Sequence, residues 1–278
     1  MFPLNKILNR IIEYSFYLLF FLVPLVMTPW NYELFEFNKT LAVYFFTLLI
    51  VFSWGAKMII QKKFLFQKSF WDLPLLIFLG VQLLSFVFSI SHHTSLWGYY
   101  SRFNGGLVSL ACFALLYWAL VGNLRQEKVL NSLVCLLTSG FIVAAYGVAE
   151  HFGVDAQHWV QDVQNRVFST LGQPNWLAAW LVILIPLTWA FFLRYWRLSF
   201  RNWPLILVSV VFLVYLLAFL YTKSRSGLLG LGVSFMGFWG LLFWLTKEIK
   251  KFRWPFLIIT AILVILNLVV KTPWQPRF

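Results

Sequence analysis

The sequence predicts an all-α fold: a bundle of about nine transmembrane helices forming one domain over residues 1–278. Three observations predict it. Of the 278 residues, 61% are hydrophobic and 11% charged, whereas an ordinary soluble domain carries roughly 25% charged residues. The mean hydropathy is +0.80, and the apolar residues gather in runs of about 17 to 21, each long enough as a helix to cross a hydrocarbon core roughly 30 Å thick. The charges, with a net of +13, fall between those runs instead of forming the continuous basic face of a nucleic-acid binder. A soluble globule, a disordered chain and a secreted disulfide framework are excluded together. Runs of this length are helical because lipid offers backbone groups no hydrogen-bond partners, and a barrel needs shorter, alternating strands.

In chain order the spans are 14–30, 40–60, 73–90, 105–121, 129–149, 175–193, 203–221, 226–245 and 255–270. The first follows Lys6 and Arg10 as a signal peptide would. It contains Pro24, however, and leads into Thr28-Pro29-Trp30 without a small-x-small cleavage site, so it reads as a retained helix. The third, seventh and ninth begin with one device, a basic residue, a Trp and a Pro: Lys68, Trp71 and Pro74; Arg201, Trp203 and Pro204; Arg253, Trp254 and Pro255. An interfacial Trp with a first-turn Pro marks a helix start. The fourth and fifth spans enclose Cys112 and Cys135, which read as small buried hydrophobes. Between the fifth and sixth lies an outer loop, 150–174, in which Asp155 to Val163 fits a short helix lying on the membrane, with Trp159 and Val163 toward lipid or protein. The eighth span carries Ser226, Gly230 and Ser234 at four-residue spacing, which lets a neighbouring helix approach closely.

Counting Lys and Arg on alternate sides sets the orientation. Fifteen fall on one side and seven on the other, the seven being Lys39, Arg102, Arg166, Lys223, Arg225, Lys271 and Arg277. The N-terminus is therefore expected in the cytoplasm and Phe278 outside. Positive charge on the outer face opposes the topogenic preference, so Arg102, Arg166, Lys223 and Arg225 need a structural partner or an anion. Singly, each arginine is served by a lipid phosphate or a helix-end carbonyl. Converging, they suit a lipid-linked diphosphate, because guanidinium forks match phosphate oxygens and each contact is worth up to ~4 kcal/mol at an effective dielectric of ~20.

Two segments carry a family resemblance. Arg166-Val-Phe-Ser-Thr-Leu-Gly-Gln-Pro-Asn-Trp-Leu-Ala, opening the sixth span, and Thr222-Lys-Ser-Arg-Ser-Gly-Leu-Leu-Gly, opening the eighth, resemble the recurring motifs of the O-antigen ligase and polymerase superfamily. The resemblance covers these motifs and the helix pattern from about residue 10 onward. It implies a transferase in a bacterial inner membrane that takes a glycan from an undecaprenyl diphosphate carrier on the periplasmic face. The acceptor is a hydroxyl on lipid A core, a growing glycan or a protein, and no nucleotide or metal cofactor takes part. It also implies that Arg166 and Arg225, with Arg102 and Lys223 as further candidates, hold and neutralise the departing diphosphate. Asn175 stands beside them, serving equally as a polar helix-start residue after Pro174.

The relatives place the histidine proposed to activate the acceptor in a long outer segment after the helix corresponding to the ninth span. Only Lys271-Thr-Pro-Trp-Gln-Pro-Arg-Phe follows that span here, so the expectation is an N-terminal portion that binds the carrier without transferring glycan alone. Two histidines in the outer loop stand as substitutes. His151, Asp155, His158 and Asp162 are spaced to form one polar stripe on an uninterrupted helix, a pattern shared by a metal site, an acid–base site and a solvated surface. Gly153 inside it favours the last. His92 and His93, beside Ser91, read as an interfacial pair. A transporter or flippase, and a noncatalytic assembly subunit, are the alternative functions. Span interiors nearly free of charge speak against a transport path. Nothing matches a P-loop, a dinucleotide-binding glycine motif, a zincin or a nucleophile elbow.

Overall fold

The computed structural model describes residues 2–196, 203–246 and 249–269. The expectations for Arg197, Arg201, Lys247, Lys271, Arg277 and the last residues of the chain lie outside these. Among the described residues ten α-helices follow one another: α1 (Phe2–Leu22), α2 (Glu36–Gln61), α3 (Asp72–Val87), α4 (His92–Trp97), α5 (Leu107–Asn123), α6 (Gln126–His151), α7 (Pro174–Trp196), α8 (Trp203–Tyr221), α9 (Arg225–Thr246) and α10 (Ile249–Val269). Among the described residues there is no strand. Six segments, in α1, α2, α6, α7, α8 and α9, are long and apolar enough to cross a membrane, and α3, α5 and the Phe252–Ile265 part of α10 are shorter apolar helices. The chain is a multi-pass membrane protein. At about 1.5 Å per residue, the 16 residues of α3 and 17 of α5 reach about 24 and 26 Å, just short of the core thickness.

Several boundaries differ from expectation. The first helix occupies Phe2–Leu22, not 14–30. Its polar half is held because Glu13 accepts from the Tyr17 hydroxyl at 2.8 Å and pairs with Lys128 at 2.7 Å. It stops before Pro24, which sits in a 3-10 turn over Val23–Leu25. Beyond it the chain folds back, with the Thr28 amide donating to the Leu34 carbonyl. Pro255 is not at a first turn but inside α10, as Pro186 is inside α7. Each gives up its own amide hydrogen bond, which a packed membrane helix tolerates.

The chain divides into two compact units, Met1–Ser139 and Gly140–Phe278, the boundary falling inside α6. In the first, α1, α2 and α5 share a core. Ile12, Phe16 and Leu19 meet Phe46, Ile50 and Trp54, with Leu116 and Ala119 completing it. Steps of three and four residues place each set on one helix face. The Trp54 indole donates to the Leu65 carbonyl and Lys57 to Asn123 Oδ1.

In the second unit α7 is central and packs on α8 and α9. Leu177, Leu181, Leu184, Ile185 and Thr188 form its buried stripe, and Trp189, fully buried, is met edge-on by Phe212, Phe235 and Phe238. The tightest approach of α9 falls at Gly227, and of the predicted small-residue face Gly230 meets α7, where an added Cβ would lie 3.6 Å from Val182. Ser226 is exposed, and a methylene added at Gly227 would lie 2.7 Å from Ala178 Cβ. Gly227→Leu is expected to destabilise the unit by about 1–3 kcal/mol through overpacking, measured as a lower thermal midpoint in detergent. Gly237→Leu, where no atom lies within 4 Å, should not.

Candidate functional site

α6 ends at His151 because Gly153 and Asp155 adopt left-handed backbone, φ 94° and 60°, conformations that close a helix and do not continue it. The short membrane-lying helix expected over Asp155 to Val163 is therefore absent, and a single 3-10 turn at Ala156–His158 takes its place. Val163 is buried within the protein. Trp159 stands edge-on to Phe168 at 5.2 Å. The four-residue polar stripe is broken by the same turn: His158 reaches only Asp155, at 3.7 Å, with both side chains exposed. Among the described residues no group of three or more His, Cys, Asp or Glu is disposed to hold a metal ion.

What anchors this loop is Glu150, which the sequence reading did not single out. Its side chain is fully buried, and Oε2 accepts the backbone amides of Phe168 at 3.2 Å and Ser169 at 2.7 Å. Ser169 holds a left-handed φ of 54°, and its hydroxyl donates to the Val143 carbonyl at 2.6 Å. The loop is thereby fastened to α6 at two adjacent residues. A lone acid ending an apolar run was the available signal, since burial of a carboxylate requires dedicated donors.

From this anchor the loop delivers Arg166. Nε donates to the Thr222 carbonyl at 3.1 Å, and Nη2 lies 3.4 Å from Asn175 Oδ1. Next to it the Val167 amide donates to the Tyr221 carbonyl. Thr222 and Lys223 form the turn between α8 and α9, with Lys223 at a left-handed φ of 48° and its ammonium on Asn165 Oδ1. Ser224 then caps α9: its Oγ accepts the Gly227 amide at 3.1 Å and donates to Asn175 Oδ1 at 2.9 Å. A serine side chain on the third helical amide is the usual N-cap. Asn175, the second residue of α7, thus joins the N-termini of α7 and α9, and Arg166 lies across the junction. Arg225 is the first residue of α9 and is exposed, as are Arg166 and Asn175. Two helix N-termini and three basic residues, Arg166, Lys223 and Arg225, thus lie at one end of the second unit, and helix N-termini and basic side chains both favour negative charge.

His151 belongs to the same cluster. Its ring stacks on Tyr221, centroids 3.8 Å apart, and Nδ1 lies 2.7 Å from the Gln164 carbonyl oxygen. A carbonyl only accepts, so Nδ1 carries a proton in this contact and Nε2 is the nitrogen left to face the site. The orienting partner is a backbone carbonyl, not Asp155 or Asp162. The other candidates lie in the first unit. Arg102 pairs with Glu36, Nε to Oε2 at 3.4 Å, and sits over the Tyr99 ring, a structural partner for its charge. His92 and His93 are exposed on the six-residue α4, His92 edge-on to Phe86.

No protein-family model matches the chain, and no curated protein or solved structure does either.

Proposed function

We propose that the chain acts on a glycan carried by undecaprenyl diphosphate, as a transferase of the O-antigen ligase type at the periplasmic face of a bacterial inner membrane. The observation that carries this reading is the Asn175–Ser224 hydrogen bond under Arg166, which brings together two motifs 49 residues apart. In the reaction the acceptor oxygen attacks the anomeric carbon as the bond from that carbon to the diphosphate breaks. The electron pair leaves on the diphosphate, whose growing charge meets Arg166, Arg225, Lys223 and the two helix N-termini. The acceptor proton passes to His151 Nε2, a base within the chain that the resemblance alone did not provide. Arg102 has a partner of its own in Glu36, so the diphosphate is assigned to Arg166, Arg225 and Lys223. The acceptor is a second glycan, glycolipid or protein hydroxyl, and the bilayer supplies the carrier.

Proteoliposomes containing the chain, an undecaprenyl diphosphate-linked oligosaccharide and a glycolipid acceptor test it. With His151 held by Gln164 and Tyr221 as the proposed base, transfer that depends on the diphosphate-linked donor is expected, in place of the carrier binding without transfer that the family resemblance implied. Transfer that proceeds equally from a nucleotide sugar would contradict the reading.

Nine crossings with the N-terminus in the cytoplasm complete the proposal. Single cysteines at Asn104 and Gln157 are expected to react with an impermeant maleimide added outside, and one at Gln126 to be protected. Labelling at Gln126 in sealed cells would reverse the orientation.

A further inference from the structure

The first unit carries an apolar groove between α3 and α5 that owes nothing to the proposed transferase site. It has a volume of about 440 Å³ and is lined by Trp71, Leu75, Phe78, Leu110, Phe113 and Tyr117 among others, within the roughly 300–1,000 Å³ of small-molecule sites. α3 has no buried residue along its length, so one wall of the groove is a helix with its faces open. The groove has a polar end. There the Tyr117 hydroxyl donates to Ser69 Oγ at 2.6 Å, and Lys68 is the preceding residue. Lys62, Lys63 and Lys68 are all exposed on this loop, and among the described residues none of the three makes an ion pair. Between and after them stand Phe64, Phe70 and Trp71, 82%, 83% and 62% exposed. Asp72 is the acid at this end. Its oxygens are engaged, Oδ2 by the Ser69 amide and Oδ1 by the Trp118 indole, and three lysines leave the loop net positive.

Exposed aromatics mixed with lysines mark a membrane–water interface, and clustered lysines there attract anionic headgroups. An apolar slot running from such a cluster along two membrane helices fits one molecule, amphipathic and negatively charged at its head. We propose that the α3–α5 groove binds an anionic glycerophospholipid of the surrounding bilayer. One acyl chain lies against Leu75, Phe78 and Phe113, and the phosphate lies at Lys68 and the Ser69 hydroxyl. Lys62 and Lys63 add long-range attraction. A zwitterionic lipid of the same chains gains the slot without the charge.

Native mass spectrometry of the full chain, offered dioleoyl phosphatidylglycerol or dioleoyl phosphatidylcholine, reads both contributions. Phosphatidylglycerol is expected to be retained about tenfold or more over phosphatidylcholine, and Lys68→Gln to cut that preference about fivefold, the effect of one basic residue near a membrane surface. Leu75→Trp, on the helix with no buried residue, narrows the slot. It is expected to lower retention of both lipids while leaving the preference intact. Equal retention of the two lipids by the unaltered chain, or a preference untouched by Lys68→Gln, would overturn the proposal. So would a dimer that Leu75→Trp dissociates and added lipid does not, because the groove would then be covered by a second copy.

Discussion

Glu150→Ala is expected to be among the most destabilising single changes in the second unit, by about 2–6 kcal/mol. Two buried backbone amides, of Phe168 and Ser169, lose their common acceptor. Each buried donor left unsatisfied costs about 1–3 kcal/mol. Water cannot easily replace the carboxylate, because Glu150, Phe168 and Ser169 are all buried. Glu150→Gln keeps an acceptor oxygen at the same reach but places an amide NH2 where Oε1 is buried without a partner, so its cost is expected to be about 1–3 kcal/mol, below that of alanine. Thermal unfolding of the purified protein in detergent separates the two. The loss is local as well as global: the segment from Arg166 to Asn175 hangs from this anchor, so Glu150→Ala should also weaken binding of undecaprenyl diphosphate. Equal midpoints for the alanine and glutamine variants would show that the carboxylate is not the fastening point.

His151→Gln is expected to lower glycan transfer by about 10²–10⁴-fold, the contribution typical of a positioned general base. Donor binding should be unchanged, because the proposed anion contacts come from Arg166, Arg225 and the helix N-termini and not from the imidazole. His158→Gln serves as the comparison. That ring lies on the exposed side of a 3-10 turn with only Asp155 near it, and its replacement should leave transfer intact. If His151→Gln reduces binding and transfer in parallel, the ring supports Tyr221 by stacking and takes no proton.

Much of the fold was legible because membrane helices announce themselves by length and composition. The run over 203–221 became α8 with the same ends, since Trp203 and Pro204 open it and Tyr221 is followed by the polar turn at Thr222. The first helix was misplaced because its polar stretch from Asn5 to Glu13 looks like a cytoplasmic tail. Only the Lys128 partner, more than a hundred residues away, explains why it is helical. The loop after α6 was misread for a different reason. Its four-residue polar spacing is meaningful only on a continuous helix, and the left-handed residues at 153 and 155 belong to the turn and not to the pattern. Gly153 was the visible hint.

The candidate site was legible in part. Arg166 and Arg225 stood out because positive charge is unexpected on that face, and Asn175 because it follows a proline at a helix start. Ser224 did not stand out, although it is the cap that lets Asn175 bridge two helices. Glu150 did not either: its place at the end of an apolar run was a signal, but the donors that let it be buried sit 18 and 19 residues further on. Arg102 looked like its fellows in sequence. Its distinction, an ion pair with Glu36 inside the first unit, comes from tertiary contact alone.

The central claim is that Arg166 and Arg225, at the joined N-termini of α7 and α9, bind the diphosphate of a polyprenyl carrier. Its most direct test is the affinity of the detergent-solubilised chain for undecaprenyl diphosphate, set beside undecaprenol, with Arg166→Ala and Arg225→Ala as variants. The diphosphate should bind far more tightly than the alcohol, each alanine variant should weaken it by about 10–150-fold, as loss of a charged hydrogen-bond partner does, and Arg166→Lys should restore little of the loss because an ammonium cannot reproduce the fork. Equal affinity for diphosphate and alcohol, or alanine variants that bind as the unaltered chain does, would contradict the account.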